Sequence, residues 1–331
     1  MSTAQRSLAV RIAAIGGAVA IGMLNVVQSR INGELGLEIG GFLAALITFS
    51  SGLALLSLAL LASRRGRVGL ARVRDAIRGG TVPWWMAAGG AGGALFVLTQ
   101  SLTAGLLGVA LFTIAVVGGQ VVSALLIDRR GIGVARPQPP TVFRIMGAAL
   151  ALVAVAWALS AQVVASVPLW MLVLPVIAGA AGAWQQAVNG QIRVAADSAL
   201  TATWVNFAVG VPLLAIATAI SVLASGWPDA FPTNPVLYLG GVIGLTFIAG
   251  AAIIVRTTGV LVLGLAIICG QLVMSVVLDL FVPVPGHELA ASTIGGTLLA
   301  LAAVAIASIR RRNDRAEPST AVTASSGSPS D

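Results

Sequence analysis

Gln28-Ser29-Arg30-Ile31-Asn32-Gly33 closes the first long apolar segment of the chain with two amides and a glycine. The hexamer that starts at Gln185 and ends at Asn189-Gly190 repeats the pattern, 157 residues further on. In each copy the glutamine stands four residues before the asparagine, so a helix would place both amides on one face. Two matching hexamers are weak evidence alone, and their meaning depends on whether the rest of the chain also divides into two halves.

The composition identifies the class of protein. Hydrophobic residues make up 58% of the 331 residues and charged residues only 9%, whereas soluble domains carry roughly 25% charged residues. The apolar segments are about 20 residues long, the length of a membrane-spanning helix, and they lack the ~10-residue alternation of a membrane β-barrel. The sequence therefore predicts an all-α polytopic membrane protein.

The arginines predict the number and orientation of the helices. Eighteen of the nineteen fall in cytoplasmic segments if the N-terminus is inside and ten helices cross the membrane, and only Arg30 does not. Such an asymmetry follows the positive-inside rule. We therefore expect a multi-pass protein of the inner (plasma) membrane with both termini cytoplasmic. The predicted helices are 9–31, 41–62, 84–103, 105–127, 142–160, 168–190, 199–224, 234–254, 258–281 and 289–309.

Two connecting segments carry expectations of their own. The stretch Ser101–Gly105 must be a tight turn if the third and fourth helices are separate. The loop Arg64–Arg78 mixes apolar residues with its arginines. It is either a short helix on the inner leaflet or a solvated topology determinant.

Further blocks match between the halves in the same order. Gly119-Gln120 and Asp128 match Gly270-Gln271 and Asp279 at a shift of 151 residues. Other matches include Gly108 with Gly259, Phe96 with Phe247, and Thr48-Phe49 with Asn206-Phe207. The pattern predicts a tandem duplication of a five-helix unit. Because five is odd, the second copy must enter the membrane from the opposite side, and inverted-topology repeats are typical of transporters that work by alternating access.

The predicted layout has four parts. Residues 1–8 form a cytoplasmic N-terminus, and residues 9–160 form the first five-helix repeat. Residues 168–309 form the second, inverted repeat. A Ser-, Thr- and Pro-containing tail over 310–331 is expected to be disordered.

Ten helices in two inverted halves resemble the drug/metabolite transporter superfamily. The Gln-x-x-x-Asn-Gly run after the first helix and the Gly-Gln…Asp run in the fourth resemble its "putative inner membrane exporter" branch, over about residues 9–309. Members of that branch have one five-helix unit or two fused units, and the small multidrug resistance proteins are more distant four-helix relatives. The resemblance implies a central cavity lined by the first, third and fourth helices of each repeat. It also implies transport, usually outward, of small metabolites or drugs.

Polar side chains at membrane depth are the candidate substrate-binding residues, because they usually face the protein interior or a water-filled cavity. Primary amides both donate and accept hydrogen bonds, which suits a neutral or zwitterionic solute. Interhelical hydrogen bonding is the alternative role for the glutamines, and helix termination is the alternative for the Asn-Gly pairs. In the Gln-x-x-x-Asn-Gly pattern we expect the glutamine to face the cavity and Asn-Gly to end the helix. The candidates are Gln28, Asn32, Gln120, Gln185, Asn189 and Gln271.

Asp128 and Asp279 close the fourth and ninth predicted helices and are possible coupling residues, although a boundary ion pair is the simpler role for Asp128, which Arg129 and Arg130 follow. No Asp or Glu lies in the middle of a predicted helix. In the small multidrug resistance proteins a carboxylate in the first helix is the proton and cation site. Here Asn25 and Gln28 stand in that helix, which argues against proton-coupled exchange of cationic drugs by that mechanism.

A secondary transporter is the expected function. The sequence has no Walker motif, no metal-binding cluster and no catalytic constellation, so we expect no cofactor, no metal and no enzyme activity. The expected partners are a small-molecule substrate and membrane lipid but no nucleic acid. The coupling ion is unknown, and either a monomer or a homodimer is compatible with two fused repeats. The alternative function is that of a non-transporting membrane subunit or scaffold.

Overall fold

The computed structural model describes residues 3–131, 141–164, 168–258, 260–283 and 290–307, and these residues are almost entirely helical. Short 3₁₀ turns occur at Trp84–Met86 and Pro235–Tyr238, and a π-helical segment covers Gln100–Ala104. The predicted tail over 310–331 lies outside the described residues. The helices are α1 (Thr3–Ile39), α2 (Gly41–Ala62), α3 (Arg64–Arg78), α4 (Gly89–Thr99), α5 (Gly105–Leu107), α6 (Val109–Arg130), α7 (Val142–Val164), α8 (Leu169–Ala196), α9 (Ala199–Ser225), α10 (Gly240–Thr258), α11 (Val260–Phe281) and α12 (Ala291–Ala307).

Seven helical stretches of the described chain are long and apolar enough to cross a membrane. Each of them coincides with a predicted span. Three shorter apolar helices, over Val142–Ala158, Gly240–Ala251 and Ala291–Ile306, coincide with the other predicted spans. The protein is therefore a multi-pass, all-helical membrane protein. The seven long stretches are Ile12–Ile39, Gly41–Ala62, Trp84–Leu107, Val109–Ile127, Leu169–Ala196, Ala199–Ser225 and Leu263–Phe281.

The prediction that Asn-Gly ends each first helix is wrong. Helix α1 continues past Asn32-Gly33 and ends before Gly40, which has a φ of 84°. Helix α8 continues past Asn189-Gly190 to the left-handed Asp197. In α1 the glycine permits close packing, because a Cβ on Gly33 would collide with the backbone of Gly105. The Asn32 amide bonds to other helices, so it is not available to cap its own.

The predicted tight turn at Ser101–Gly105 is also wrong. The chain passes from α4 through the π-helical segment into α5 without reversing, and these pieces form one crossing unit, the α4 unit (Gly89–Leu107). The break falls at Gly108, which has a φ of 80°. Only glycine adopts that conformation readily. The signal for the break was therefore Gly108 itself, whereas the polar Ser101 and Thr103 are helical and buried.

The arginine-rich loop after α2 is helical, as one of its two readings predicted. Ser63 caps α3 by accepting a hydrogen bond from the Gly66 N–H. Arg65 and Arg72 reach Asp197, at the junction of α8 and α9, with N–O distances of 3.1 and 3.4 Å. The hydrogen bond and charge of Arg65, with a smaller effect of Arg72, lower the pKa of the Asp197 carboxyl. Helix α3 thus ties the end of α2 to the start of α9.

The same helix contacts recur in the two halves with the partners exchanged. A Cβ on Gly22 of α1 would collide with the carbonyl oxygen of Ile267 in α11, and a Cβ on Gly179 of α8 would collide with that of Val116 in α6. Gly22 and Gly179 are 157 residues apart, and Val116 and Ile267 are 151 apart. Small residues permit such close approach of membrane helices. Two further glycines, Gly270 against Val19 and Gly119 against Val176, follow the same rule.

Helices α2 and α9 pack against each other with matching residues from the two halves. Phe49 and Phe207 stack with ring centroids 4.6 Å apart. Gly52 packs against the ring of Phe207, and Gly210 packs against the ring of Phe49. These four residues also form matching pairs at a shift of 158 in the sequence.

Candidate functional site

Three amides of α1 and α11 form one buried cluster. Gln271 donates from Nε2 to Asn25 Oδ1 at 2.9 Å, and Asn25 donates from Nδ2 to Gln28 Oε1 at 3.5 Å. Gln28 in turn donates to the backbone carbonyl of Gly240 at 2.9 Å. All three side chains are buried. The cluster therefore connects α1 with α10 and α11 through hydrogen bonds between uncharged groups.

A second buried group lies one turn further along α1. Asn32 donates to Gln100 Oε1 at 2.9 Å and accepts from Thr48 Oγ1 at 2.9 Å. Gln100 also donates from Nε2 to Ser29 Oγ at 2.8 Å. Ser29 donates to the backbone carbonyl of Asn25 at 3.0 Å, which joins the two groups. We call the whole set the amide network; it is built from Asn25, Gln28, Ser29, Asn32, Thr48, Gln100 and Gln271.

One hydrogen-bond acceptor in the amide network lacks a donor. Among the described residues, Gln271 Oε1 is buried without a hydrogen-bond partner. A buried acceptor without a partner is costly, by about 1–3 kcal/mol. The oxygen is therefore a place where a donor from a solute or a water molecule would be stabilised.

The repeat-equivalent amides, on α8 of the second half and α6 of the first, are more open. Gln185 of α8 donates to Asn206 Oδ1 at 3.0 Å, and both Gln185 and Asn189 are only half-buried. Gln120 of α6 is half-buried as well and makes no hydrogen bond within the described part of the chain. A Cβ on Gly93 would collide with the Gln185 amide, just as one on Gly244 would approach the amide of Gln28. Gln28 and Gln185 thus occupy matching positions but are buried to different degrees.

The clearest difference between the halves lies at the matching glycines of the two hexamers. Gly33 and Gly36 of α1 pack directly on the backbone of Gly105 and Ser101 in the α4 unit. By contrast, a Cβ on Gly190 of α8 would meet no heavy atom within 4 Å in the described structure, and Gly190 is exposed. Helix α1 is closely packed where α8 is open.

Asp279 caps the N-terminus of α6, a helix that belongs to the other half of the chain. Its carboxylate accepts from the backbone N–H groups of Val109 at 3.0 Å and Ala110 at 2.7 Å, at the N-terminus of α6. The side chain is buried. A carboxylate at this position satisfies two free N–H donors and interacts favourably with the helix dipole. The side chain of Asp128, the other possible coupling residue, lies outside the described residues.

Two acidic residues, Glu34 and Glu38, lie in the last turns of α1. Arg30 pairs with Glu34 one turn away. Glu34 and Glu38 line a surface cleft of about 430 Å³ with residues 232–234. Both glutamates lie beyond the amide network, whose own members are all neutral.

The structure brings together some of the predicted site residues and separates others. Gln28, Asn32 and Gln271 share the amide network, whereas Gln185 bonds to Asn206 of α9, and Gln120 and Asn189 stand half-buried on α6 and α8. Sequence reasoning missed Gln100 because it adjoined a predicted turn. Thr48 and Asn206 were noticed only as matching positions of the repeat. A polar residue in an apolar segment was the signal in each case.

Comparison with known proteins places these features in a family. No curated protein sequence matches the chain. One solved crystal structure of a protein is 17% identical, with a TM-score of 0.54, and the match covers 90% of this chain and 96% of that one. At that identity the likeness concerns the fold alone. The model of one family matches the chain twice, over residues 13–157 and 170–306. The chain therefore belongs to the family described as "putative inner membrane exporter, YdcZ", and it contains two fused copies of the family's unit.

Proposed function

We propose that this protein is a secondary transporter that exports a small polar or amphipathic metabolite or drug by alternating access between two inverted five-helix repeats. The family supports a membrane exporter. In this proposal ten helices cross the membrane and both termini are cytoplasmic. The gate where Gly33 and Gly36 of α1 meet the α4 unit then faces outward, and we call it the α1 gate. The gate around Gly190 faces the cytoplasm and is called the α8 gate.

The exchanged helix contacts support an inverted arrangement. In an inverted-repeat transporter an axis in the membrane plane relates the two copies. A contact between one helix of the first copy and another helix of the second copy then has a counterpart, in which the two copies exchange roles. The α1–α11 and α8–α6 pairs, with their matching glycines, follow this pattern.

A single observation carries the proposal of alternating access. Gly33 is packed against backbone, whereas its repeat partner Gly190 is open. A protein that exchanges two states by swapping the conformations of its copies must have one gate closed while the other is open. We assign this conformation as closed at the α1 gate and open at the α8 gate, which is inward-facing in the proposed orientation.

The chemistry of the substrate follows from the lining of the open side. Gln120, Gln185 and Asn189 offer amide donors and acceptors that are not buried. Such groups recognise neutral or zwitterionic polar solutes by hydrogen bonding. Asp279 already accepts two backbone hydrogen bonds. This favours solute exchange without a carboxylate that alternately binds a proton and a cationic drug.

Solute counterflow in liposomes tests the function. Purified protein is reconstituted and screened with a panel of radiolabelled zwitterionic amino acids and neutral amides, each preloaded at high concentration. We expect saturable counterflow of at least one class. Gln120→Ala combined with Gln271→Ala should abolish it, because one amide is lost from each repeat. Thr246→Val is the control, since Thr246 is exposed and bonds only to the carbonyl of Val242 in its own helix.

The outcomes separate the two functions. Full counterflow by the double variant would exclude the amides as the solute site while leaving transport in place. Counterflow no higher than in empty liposomes for any solute, by protein that is folded and monodisperse, would favour the non-transporting subunit or scaffold.

A further inference from the structure

Gln100 connects the α4 unit to α1 at the closed gate. It is fully buried and is the first residue of the π-helical segment. Its oxygen accepts from Asn32 and its nitrogen donates to Ser29, both across the helix interface. The oxygen and the nitrogen of the Gln100 amide therefore both form hydrogen bonds to α1. π-helical segments of this kind occur frequently at functional sites.

The second repeat has no such residue at the matching position. A shift of 151 residues pairs Gln100 with Ala251 in α10, whose methyl group cannot form a hydrogen bond. On α8, the residue that matches Ser29 is Gln186, which is exposed. An amide at the position of Gln100 can therefore join the two sides of the α1 gate but not those of the α8 gate.

We propose that Gln100 is a positioning residue that favours the conformation with the α1 gate closed, so that the resting transporter is open at the α8 gate. The inference rests on the proposed function, since it needs two exchanging gates. The two bonds of Gln100 exist only while α1 packs on the α4 unit. They therefore lower the free energy of that state alone and shift the population toward it. The copies differ in sequence at this point, so the bias acts at one gate only.

Two cysteine probes report the gates without any substrate. The native thiol is removed by Cys269→Ala. Ser101→Cys reports the α1 gate, because Ser101 is buried at that gate and its hydroxyl has no hydrogen-bond partner among the described residues. Gln186→Cys reports the α8 gate. Each is labelled with a membrane-impermeant maleimide in right-side-out and inside-out vesicles.

We expect Gln100→Ala to change the two labelling rates in opposite directions. The S101C probe should react about eightfold faster from outside, the fold-change that corresponds to two interhelical hydrogen bonds of ordinary strength in membranes. The Q186C probe should react more slowly from inside. Ser29→Ala removes only the bond that Gln100 donates, together with a bond inside α1 itself. It should produce a smaller change of about threefold in the same directions, and it keeps the test valid if Gln100→Ala does not fold.

Thr99→Val is the matched control. Thr99 adjoins Gln100 and is equally buried, but its hydroxyl bonds only to the carbonyl of Leu95 in its own helix. It should leave both rates unchanged. Unchanged rates in Gln100→Ala and Ser29→Ala would overturn the proposal. Faster labelling of both probes would also overturn it, because that result indicates general loosening. Failure to detect counterflow with every solute would contradict transport without altering the labelling result.

Discussion

At the scale of single residues, substitutions of the matching glycines Gly33 and Gly190 are predicted to have opposite effects on stability. A Cβ on Gly33 would strike the backbone of Gly105, whereas one on Gly190 has free space. Gly33→Ala should therefore lower the free energy of unfolding by about 1–3 kcal/mol, as overpacking does. Gly190→Ala should leave stability unchanged or raise it, since alanine favours helix by up to about 1 kcal/mol. Thermal unfolding in detergent, followed by tryptophan fluorescence, measures both.

The proposed cycle adds a second expectation for Gly190→Ala. When the α8 gate closes, Gly190 takes the place that Gly33 occupies now, so the added methyl group should slow counterflow while stability is kept. Equal losses of stability in the two variants would contradict the assignment of one closed and one open gate.

The sequence predicted which residue types would matter but only part of what they contact. The amides of Gln28 and Asn32 were recognisable because neutral polar groups in apolar segments are rare. Their partners were not recognisable, because Gln100 and Gly240 lie 68 and 212 residues away in the chain. No local pattern carries that information.

At the scale of an element, Asp279 is predicted to hold the start of α6. Asp279→Ala should reduce the free energy of unfolding by about 1 kcal/mol, because two N–H groups at a helix N-terminus lose their acceptor. Asp279→Asn retains an acceptor oxygen and should keep most of that stability. Chemical denaturation in mixed micelles measures the difference, with Asp229→Ala in an exposed loop as control.

The same variants test whether Asp279 couples transport to protons. If Asp279 only positions α6, Asp279→Asn should keep the pH dependence of counterflow. Loss of pH dependence in Asp279→Asn, with stability preserved, would assign the residue to coupling.

Helix ends show where local sequence signals compete. Helix α2 begins and ends where its apolar run does, at Gly41 and Ala62. The Asn-Gly pairs were read as ends because both residues favour turns. Tertiary packing prevailed, since α1 continues to Ile39 and uses Gly33 for close contact. A glycine in a membrane helix can indicate either role, and only the neighbouring helix decides between them.

At the scale of the whole molecule, composition and repeat spacing predicted the class and the two fused units, and the family match confirms both. Each predicted span overlaps a helix, although only seven stretches of the described chain are long and apolar enough to be recognised as spans by themselves. Ten crossings and the inverted topology stay predictions. The different packing of Gly33 and Gly190 was not accessible from the sequence, because similar hexamers surround both glycines.

Sidedness of two repeat-equivalent positions tests the central claim most directly. Leu37 and Val194 are 157 residues apart, and both are exposed, near the ends of α1 and α8. Leu37→Cys and Val194→Cys are placed separately in the Cys269→Ala background and labelled with an impermeant maleimide in intact cells. Inverted repeats predict that L37C reacts from outside, whereas V194C reacts only after the membrane is permeabilised. Reaction of both thiols from the same side would contradict the inverted topology and with it the proposed transport cycle.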